Sequence, residues 1–269
     1  MTQAKSRRSP KPQKQSHLIS AKALRYTVLA AILVFWELAP RLGWTPEVML
    51  APLSATLLAG IQNFSTFGTA LLYTVAELLV ALAIAIFLGG ACGLLLGGIK
   101  ALRITILPVL ASIYAVPLVI LYPVLTAWIG IGPESKVIFG ALYGIFPMIL
   151  ATAAGVQTVD AGLLTASHSM GATRAQLMWQ VILPASLPSV LSGIRLCSAM
   201  AAIGVVVAEM MASTAGIGFL ITQNRTMFNT AEVYFGVFLV LVLAGTLDWL
   251  VQLIEKHTTD WQPHKQVAL

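Results

Sequence analysis

Six long apolar runs organise the chain, over about 23–41, 70–98, 104–128, 136–156, 187–210 and 232–254, with Gly, Pro and charged residues between them. A helix that crosses the hydrocarbon layer needs roughly 20 mostly apolar residues, because its amides must be satisfied where no water is available. Each run is about that length, so the pattern predicts six transmembrane helices. The third run is the least regular. Pro108, Pro117 and Pro123 each remove a backbone donor, which predicts a bent or broken helix whose freed carbonyls are satisfied by neighbours. Outside the runs lie a tail at each end, 1–22 and 255–269, and the connections between runs, of which 157–181 is the one sizeable connection on the same side as the tails. The predicted class is an all-α integral membrane protein with one transmembrane domain over 23–254.

Composition supports that class and excludes others. Hydrophobic residues make up 58% of the chain and charged residues 10%, against about a quarter charged in soluble domains. No polar stretch is long enough for a separate catalytic domain. Cys92 and Cys197 sit in apolar segments without a CxxC spacing, so neither a disulfide framework nor a zinc site is expected. His17, His168, His257 and His264 are scattered through tails and loop, which predicts no metal site and no proton relay. Gly89, Gly90, Gly93, Gly97 and Gly98 give small-xxx-small spacings suited to close helix packing, with a dimer seam as one place for it. No GxxxxGK follows, so they do not form a nucleotide loop.

Charge sets the expected orientation. The first 25 residues hold seven Lys and Arg and no acid. A nucleic-acid arm has this composition too, but an apolar run follows at once, so the tail is expected to be a cytoplasmic membrane anchor and no nucleic-acid partner is predicted. That run is long and carries Trp36 and Glu37, unlike a cleaved signal peptide. With the N-terminus inside, the tail cations, Lys100, Arg103, Arg174, Lys256 and Lys265 are internal, against Arg41, Lys136 and Arg225 outside. This asymmetry places both termini in the cytoplasm.

The internal connection then carries the most information. It reads as two short helices, the first capped by Asp160 and ended by Gly171 in the left-handed conformation, the second started by the capping-box pair Thr173 and Gln176. Leu163, Leu164, Ala166 and Met170 form an apolar stripe on the first helix, and Pro184 and Pro188 separate the second helix from the next span. On the residues alone, two readings stand side by side: an elbow that fits a groove on another protein, and an amphipathic connector resting on lipid.

The connection resembles the EAA motif of ABC importer permeases. In that motif Glu-Ala-Ala is followed by a glycine and then by Ile-x-Leu-Pro. Here Thr165 stands in place of the glutamate, Ala166 and Ser167 in place of the alanines, Gly171 matches the glycine, Val181 replaces the isoleucine, and Leu183 and Pro184 match the last pair. The resemblance runs from about Leu50 to Trp249 and includes LAPLSAT at Leu50, WIGIGPESKVIFGALYGIFPMILATAAGV at Trp128 and VVAEMMASTAGIGFLI at Val206. Together these are similar to the nitrate, sulfonate and taurine branch of those permeases. The resemblance implies a MetI-like ABC importer permease fold in the bacterial inner membrane and a second permease copy as partner. It also implies a cytoplasmic ATPase dimer that holds ATP and Mg, an extracytoplasmic substrate-binding protein, and no cofactor or catalytic residue on this chain. The expected ATPase-coupling residues are Asp160, Thr165, Ala166, Ser167, Met170, Gly171, Arg174, Val181, Leu183 and Pro184, with Ala166, Ser167, Met170 and Gly171 as the core contact and Arg174 at the rim.

Path residues are sought among polar groups at membrane depth. Glu77, Arg195 and Glu209 are the charged candidates, and Tyr114 and Tyr122 with Ser192 and Ser198 are the uncharged ones. Each has a plainer reading: a hydrogen bond to Thr or Ser for Glu77, snorkelling for Arg195, solvation near the outer interface for Glu209, and packing for the others. An integral-membrane enzyme would need more convergent Asp, Glu, His or Ser groups than this chain offers. A secondary transporter or channel working alone is the alternative, and the absence of a visible internal repeat counts against its inverted-repeat forms.

Overall fold

The computed structural model describes residues 21–259. The tail carrying Lys5 and His17, and the segment carrying His264 and Lys265, lie outside the described residues. The chain forms α1 (Ala21–Arg41), α2 (Leu53–Gln62), α3 (Phe64–Gly98), α4 (Lys100–Tyr114) and, after a 3-10 turn at Leu118–Leu121, α5 (Tyr122–Ile129). These are followed by α6 (Pro133–Gln157), α7 (Ala161–Ser169), α8 (Arg174–Gln176), α9 (Leu183–Met211), α10 (Ile217–Thr226) and α11 (Thr230–Thr259). Among the described residues there is no strand. Five helices are long and apolar enough to cross a membrane, and α4 with the 118–129 segment makes a sixth, bent by 83°. The bend falls at Pro117, where the missing donor interrupts the ladder.

Three helices make the core. Along α3 and α6 the register is constant, with Gly89 against Met148, Gly93 against Thr152 and Gly97 against Val156, so the two helices run parallel. The bent α4–α5 segment returns the chain between them. Helix α9 lies antiparallel to α6, with Gly144 against Cys197 and Gly155 against Ser189. Gly140 and Gly144 sit where all three meet: a Cβ on Gly140 would stand 2.5 Å from Val205 and 3.2 Å from Ala81. Lipid tails are as apolar as Leu, so such close approach by small residues, rather than hiding apolar surface, holds membrane helices together. Gly89, Gly93 and Gly97 of the α3 stripe therefore pack within one chain.

Two elements differ from the sequence reading. Helices α2 and α10 have ten residues each, too short to read as spans, and they flank the far ends of α11 and α9. The prolines at 184 and 188 do not separate the loop from the fifth span. Instead, a continuous helix runs from Arg174 to Met211. Just before Pro184, which cannot donate, the ladder widens into a π turn over Leu177–Ile182, with the Leu183 N–H reaching Met178 O, and Pro188 lies inside α9.

Overpacking the three-helix junction will destabilise the fold. Gly144→Val, whose Cβ would lie 2.9 Å from Cys197 Sγ, is expected to cost about 1–3 kcal/mol and lower the melting temperature of the purified protein. Gly245→Ala, with open space around it, is expected to leave that temperature unchanged.

Candidate functional site

At one end of the bundle the 157–181 connection forms an elbow. The Asp160 carboxylate accepts from the Gly162 and Leu163 N–H groups at 2.6 and 3.3 Å and so starts α7. Gly171, at φ +78°, ends it, with its N–H donating to His168 O at 3.0 Å. Thr173 N–H donates to Gln176 Oε1 at 2.9 Å while Gln176 N–H donates to Thr173 Oγ1 at 3.3 Å, a reciprocal box that starts α8. Thr165, Ser167 and Ser169 turn their hydroxyls back onto the carbonyls of Ala161, Leu163 and Thr165. Hydroxyls satisfied in this way leave the face of α7 without free donors, and Met170, 86% exposed, projects from its end. The inner angle is a groove of about 490 Å³, with Ser167, Met170 and Gly171 on one side and Gln176, Gln180 and Val181 on the other. Ala166 and Arg174 are exposed beside it, and Leu183 and Pro184 begin α9.

At the opposite end lies a polar knot. Glu77 on α3 and Lys136 on α6 form a buried ion pair, and the Lys136 ammonium also donates to Ala215 O at 3.3 Å. Glu209, 1% exposed, accepts from Thr74 Oγ1 at 2.7 Å and from the Gly218 N–H at 2.8 Å. Thr74 Oγ1 in turn accepts from the Ile217 N–H at 2.9 Å. The first amides of α10 are thereby satisfied by side chains from two other helices, as a helix that begins inside the protein requires. Tyr122 OH donates to Ala212 O at 3.0 Å and anchors the start of the same turn. Gly216, at φ +107°, completes the turn with its Cα against the Glu209 carboxylate, a position where a side chain has no room. A cleft of about 250 Å³ opens over the knot, with Tyr73, Glu77 and Lys136 in its lining.

These positions correct several sequence expectations. Glu209 is buried and hydrogen-bonded rather than solvated. Glu77 pairs with a lysine rather than with Thr or Ser. Lys136 is not an external loop cation: it occupies the first turn of α6 and is 3% exposed. Tyr122 packs against Phe139 and holds backbone, while Tyr114 stacks on Phe146 with ring centroids 5.7 Å apart. Ser192 and Ser198 bond back to Pro188 O and Ile194 O. Arg195 does not snorkel alone but pairs with Asp248 at 3.1 Å and Glu255 at 3.2 Å on α11. The sequence reading passed over Thr74 and Asp248 and placed Lys136 outside. No short-range spacing signals them, since their partners lie far away in the chain.

Residues 84–260 match the family described as binding-protein-dependent transport system inner membrane component. Among similar proteins, the taurine transport system permease protein TauC of Escherichia coli strain K12 is 29% identical over 245 residues, covering 88% of this chain and 89% of that protein. The riboflavin transport system permease protein RibX of Chloroflexus aurantiacus is 31% identical over 245 residues, covering 87% and 88%. A solved structure of the inward-facing MetNI methionine ABC transporter superposes with a TM-score of 0.67 at 18% identity, over 74% of this chain and 98% of that one.

Removing the acceptor at the knot will destabilise the far end. Glu209→Leu strands the Gly218 N–H, at a cost of about 1–3 kcal/mol, and leaves the Thr74 hydroxyl only its longer bond to Ala70 O at 3.2 Å. Glu209→Gln, which keeps one acceptor oxygen, is expected to lose about half of that. Thermal unfolding of the two purified variants distinguishes them.

Proposed function

The chain belongs to the binding-protein-dependent transport inner membrane components, in their nitrate, sulfonate and taurine branch, and is a multi-pass permease subunit of an ABC importer; from that premise we propose how it works. The elbow over 160–180 docks on a cytoplasmic ATPase dimer, two copies of the permease enclose the path, and an extracytoplasmic binding protein delivers a small solute. The solute is a nitrate-, sulfonate- or taurine-like ion or a related small organic compound. ATP and Mg are held by the ATPase, and both permease termini face the cytoplasm.

The observation that carries this reading is the continuity of the elbow with a span. Helix α8 runs without interruption through the π turn into α9, so displacement of the elbow moves a helix packed in the three-helix core. An ATPase whose contact with the elbow differs between its open and closed forms therefore shifts the permease between inward and outward openings, whereas a contact equal in both forms would shift nothing. Ala166, Ser167, Met170 and Gly171 supply the groove-fitting surface and Arg174 a rim charge. Thr165 brings no charge and bonds to its own helix, so docking here relies on shape rather than on the motif's glutamate.

Of the path candidates, Arg195 and Tyr114 are half-buried, Arg195 against the carboxylates of α11 and Tyr114 against Phe146 of α6. Glu77, Tyr122 and Glu209 act on the path indirectly, by shaping its far end. Arg195 is opposed by two carboxylates, which neutralise it locally, so attraction of an anion is not assigned to it.

Gly171 has open space around it and a left-handed φ, so substitution there acts through the elbow's backbone rather than through a clash. Gly171→Ile is expected to abolish co-purification of the ATPase or to uncouple ATP hydrolysis from uptake, with the chain still present in the membrane. Normal uptake by this variant would overturn the assignment, and deletion of residues 160–180 should lose the ATPase outright.

A further inference from the structure

We propose that Lys136 is the positioning residue of a gate at the end of the bundle opposite the elbow: its ammonium hooks the α9–α10 turn to α6 and α3, and release of that hook opens the cleft beside it. The proposal deepens the permease reading and rests on it for the meaning of opening.

The cleft has two walls. One is the α5–α6 turn at Ile131–Pro133, the other the α9–α10 turn at Ser213–Ala215, and Glu77 and Lys136 lie between them. The bond from the Lys136 ammonium to Ala215 O crosses from the helix behind one wall to the backbone of the other. Each wall is bounded by a glycine at positive φ, Gly130 at φ +96° and Gly216 at φ +107°. The second wall is held by side chains reaching in from other helices: Tyr122 at Ala212, Lys136 at Ala215, Thr74 at Ile217 and Glu209 at Gly218. Ser213 Oγ contributes a local bond to Ala215 O at 2.7 Å. A turn held in this way can swing when a hook is released, without unwinding α9.

The choice of lysine also argues for a moving part. A buried ion pair contributes little stability relative to well-packed apolar residues, because desolvation offsets most of the attraction. Here Lys136 both pairs with Glu77 and donates to Ala215 O. A single flexible ammonium can leave Ala215 while keeping Glu77, which suits a contact that must break and re-form during each transport cycle.

The experiment uses the full transporter, permease with its ATPase, in lipid nanodiscs. Ser135 is fully buried beside Lys136, and Ser135→Cys places a nearly isosteric thiol behind the hook. The exposed Cys92 is replaced by Ala. Labelling by a charged, membrane-impermeant maleimide is followed without ATP or solute. Lys136→Met removes the hook and should speed labelling about fivefold or more. The swap Glu77→Lys with Lys136→Glu keeps the buried charges balanced but leaves a carboxylate that cannot donate to Ala215 O, so it too should label fast. Labelling at the parental rate in the swap, in protein that assembles with the ATPase, would show that the pair is structural and overturn the gate. If Lys136→Met does not accumulate, the neutral pair Glu77→Gln with Lys136→Met takes its place, with the same two outcomes. Because no solute or hydrolysis enters the readout, failure of the gate is distinct from failure of the coupling reading, which the Gly171 substitution tests.

Discussion

Helices in hydrocarbon gain little by turning leucine away from lipid, so the structure depends on how closely their backbones can approach. Between α3 and α6 the approach is set by residues at every fourth position, from Ala81 against Gly140 to Gly97 against Val156. A larger residue at any of these points would push the helices apart along their length. The same register, extended one step toward the start of both helices, brings Glu77 opposite Lys136. The ion pair is thus a consequence of the glycine seam, and its partners are placed by packing before any charge attraction acts.

That placement in turn supports the irregular end of the fold. A short helix that begins inside the protein has first amides that solvent cannot reach. Helix α10 begins in this way, and its first N–H groups are met by Glu209 and Thr74, whose positions depend on α9 and α3. Glu209 is therefore not a cost borne for transport alone: it is the acceptor that lets the chain reverse direction at Gly216. The charged residues of the far end converge on one turn, Glu77 through Lys136 on Ala215 and Glu209 with Thr74 on Ile217 and Gly218, and any opening of that end must act on it.

How much of this was legible in the sequence follows from the range of each interaction. The spans, the proline break and the elbow depend on residues a few positions apart, so Asp160, Gly171, Thr173 and Gln176 showed their roles directly. The knot depends on pairs such as Thr74 with Glu209, separated by 135 positions, and on a register that no local pattern encodes. Lys136 was misread for this reason: beside Pro133 and Glu134 it looks like part of a solvated loop, and only the parallel pairing of α3 with α6 draws it inside. The prolines of the fifth span misled in the opposite way. Each removes a donor, but a ladder that shifts register into a π turn tolerates the loss, so Pro184 marks a change of pitch and not an end, and Pro188 lies inside α9.

That change of pitch bears on how force travels. The helix from Arg174 to Met211 has 38 residues and is about 57 Å long at 1.5 Å per residue. One end is the elbow, and the other carries Glu209 and the turn that Lys136 holds. A rigid rod of that length would pass every displacement of the elbow to the far end, but its ridges also interlock with α6 through Gly144, Gly155 and Gly193, and packed seams tolerate sliding poorly. The π turn lies between the elbow and these interlocks, where the ladder is weakest. It is the point at which the elbow can rotate while the seam stays intact, so that the motion reaching the far end is a tilt of α9 as a unit. A tilt pivoting on the glycine contacts moves the ends of the helix most, and at the far end the Ala212–Gly216 turn takes that motion first.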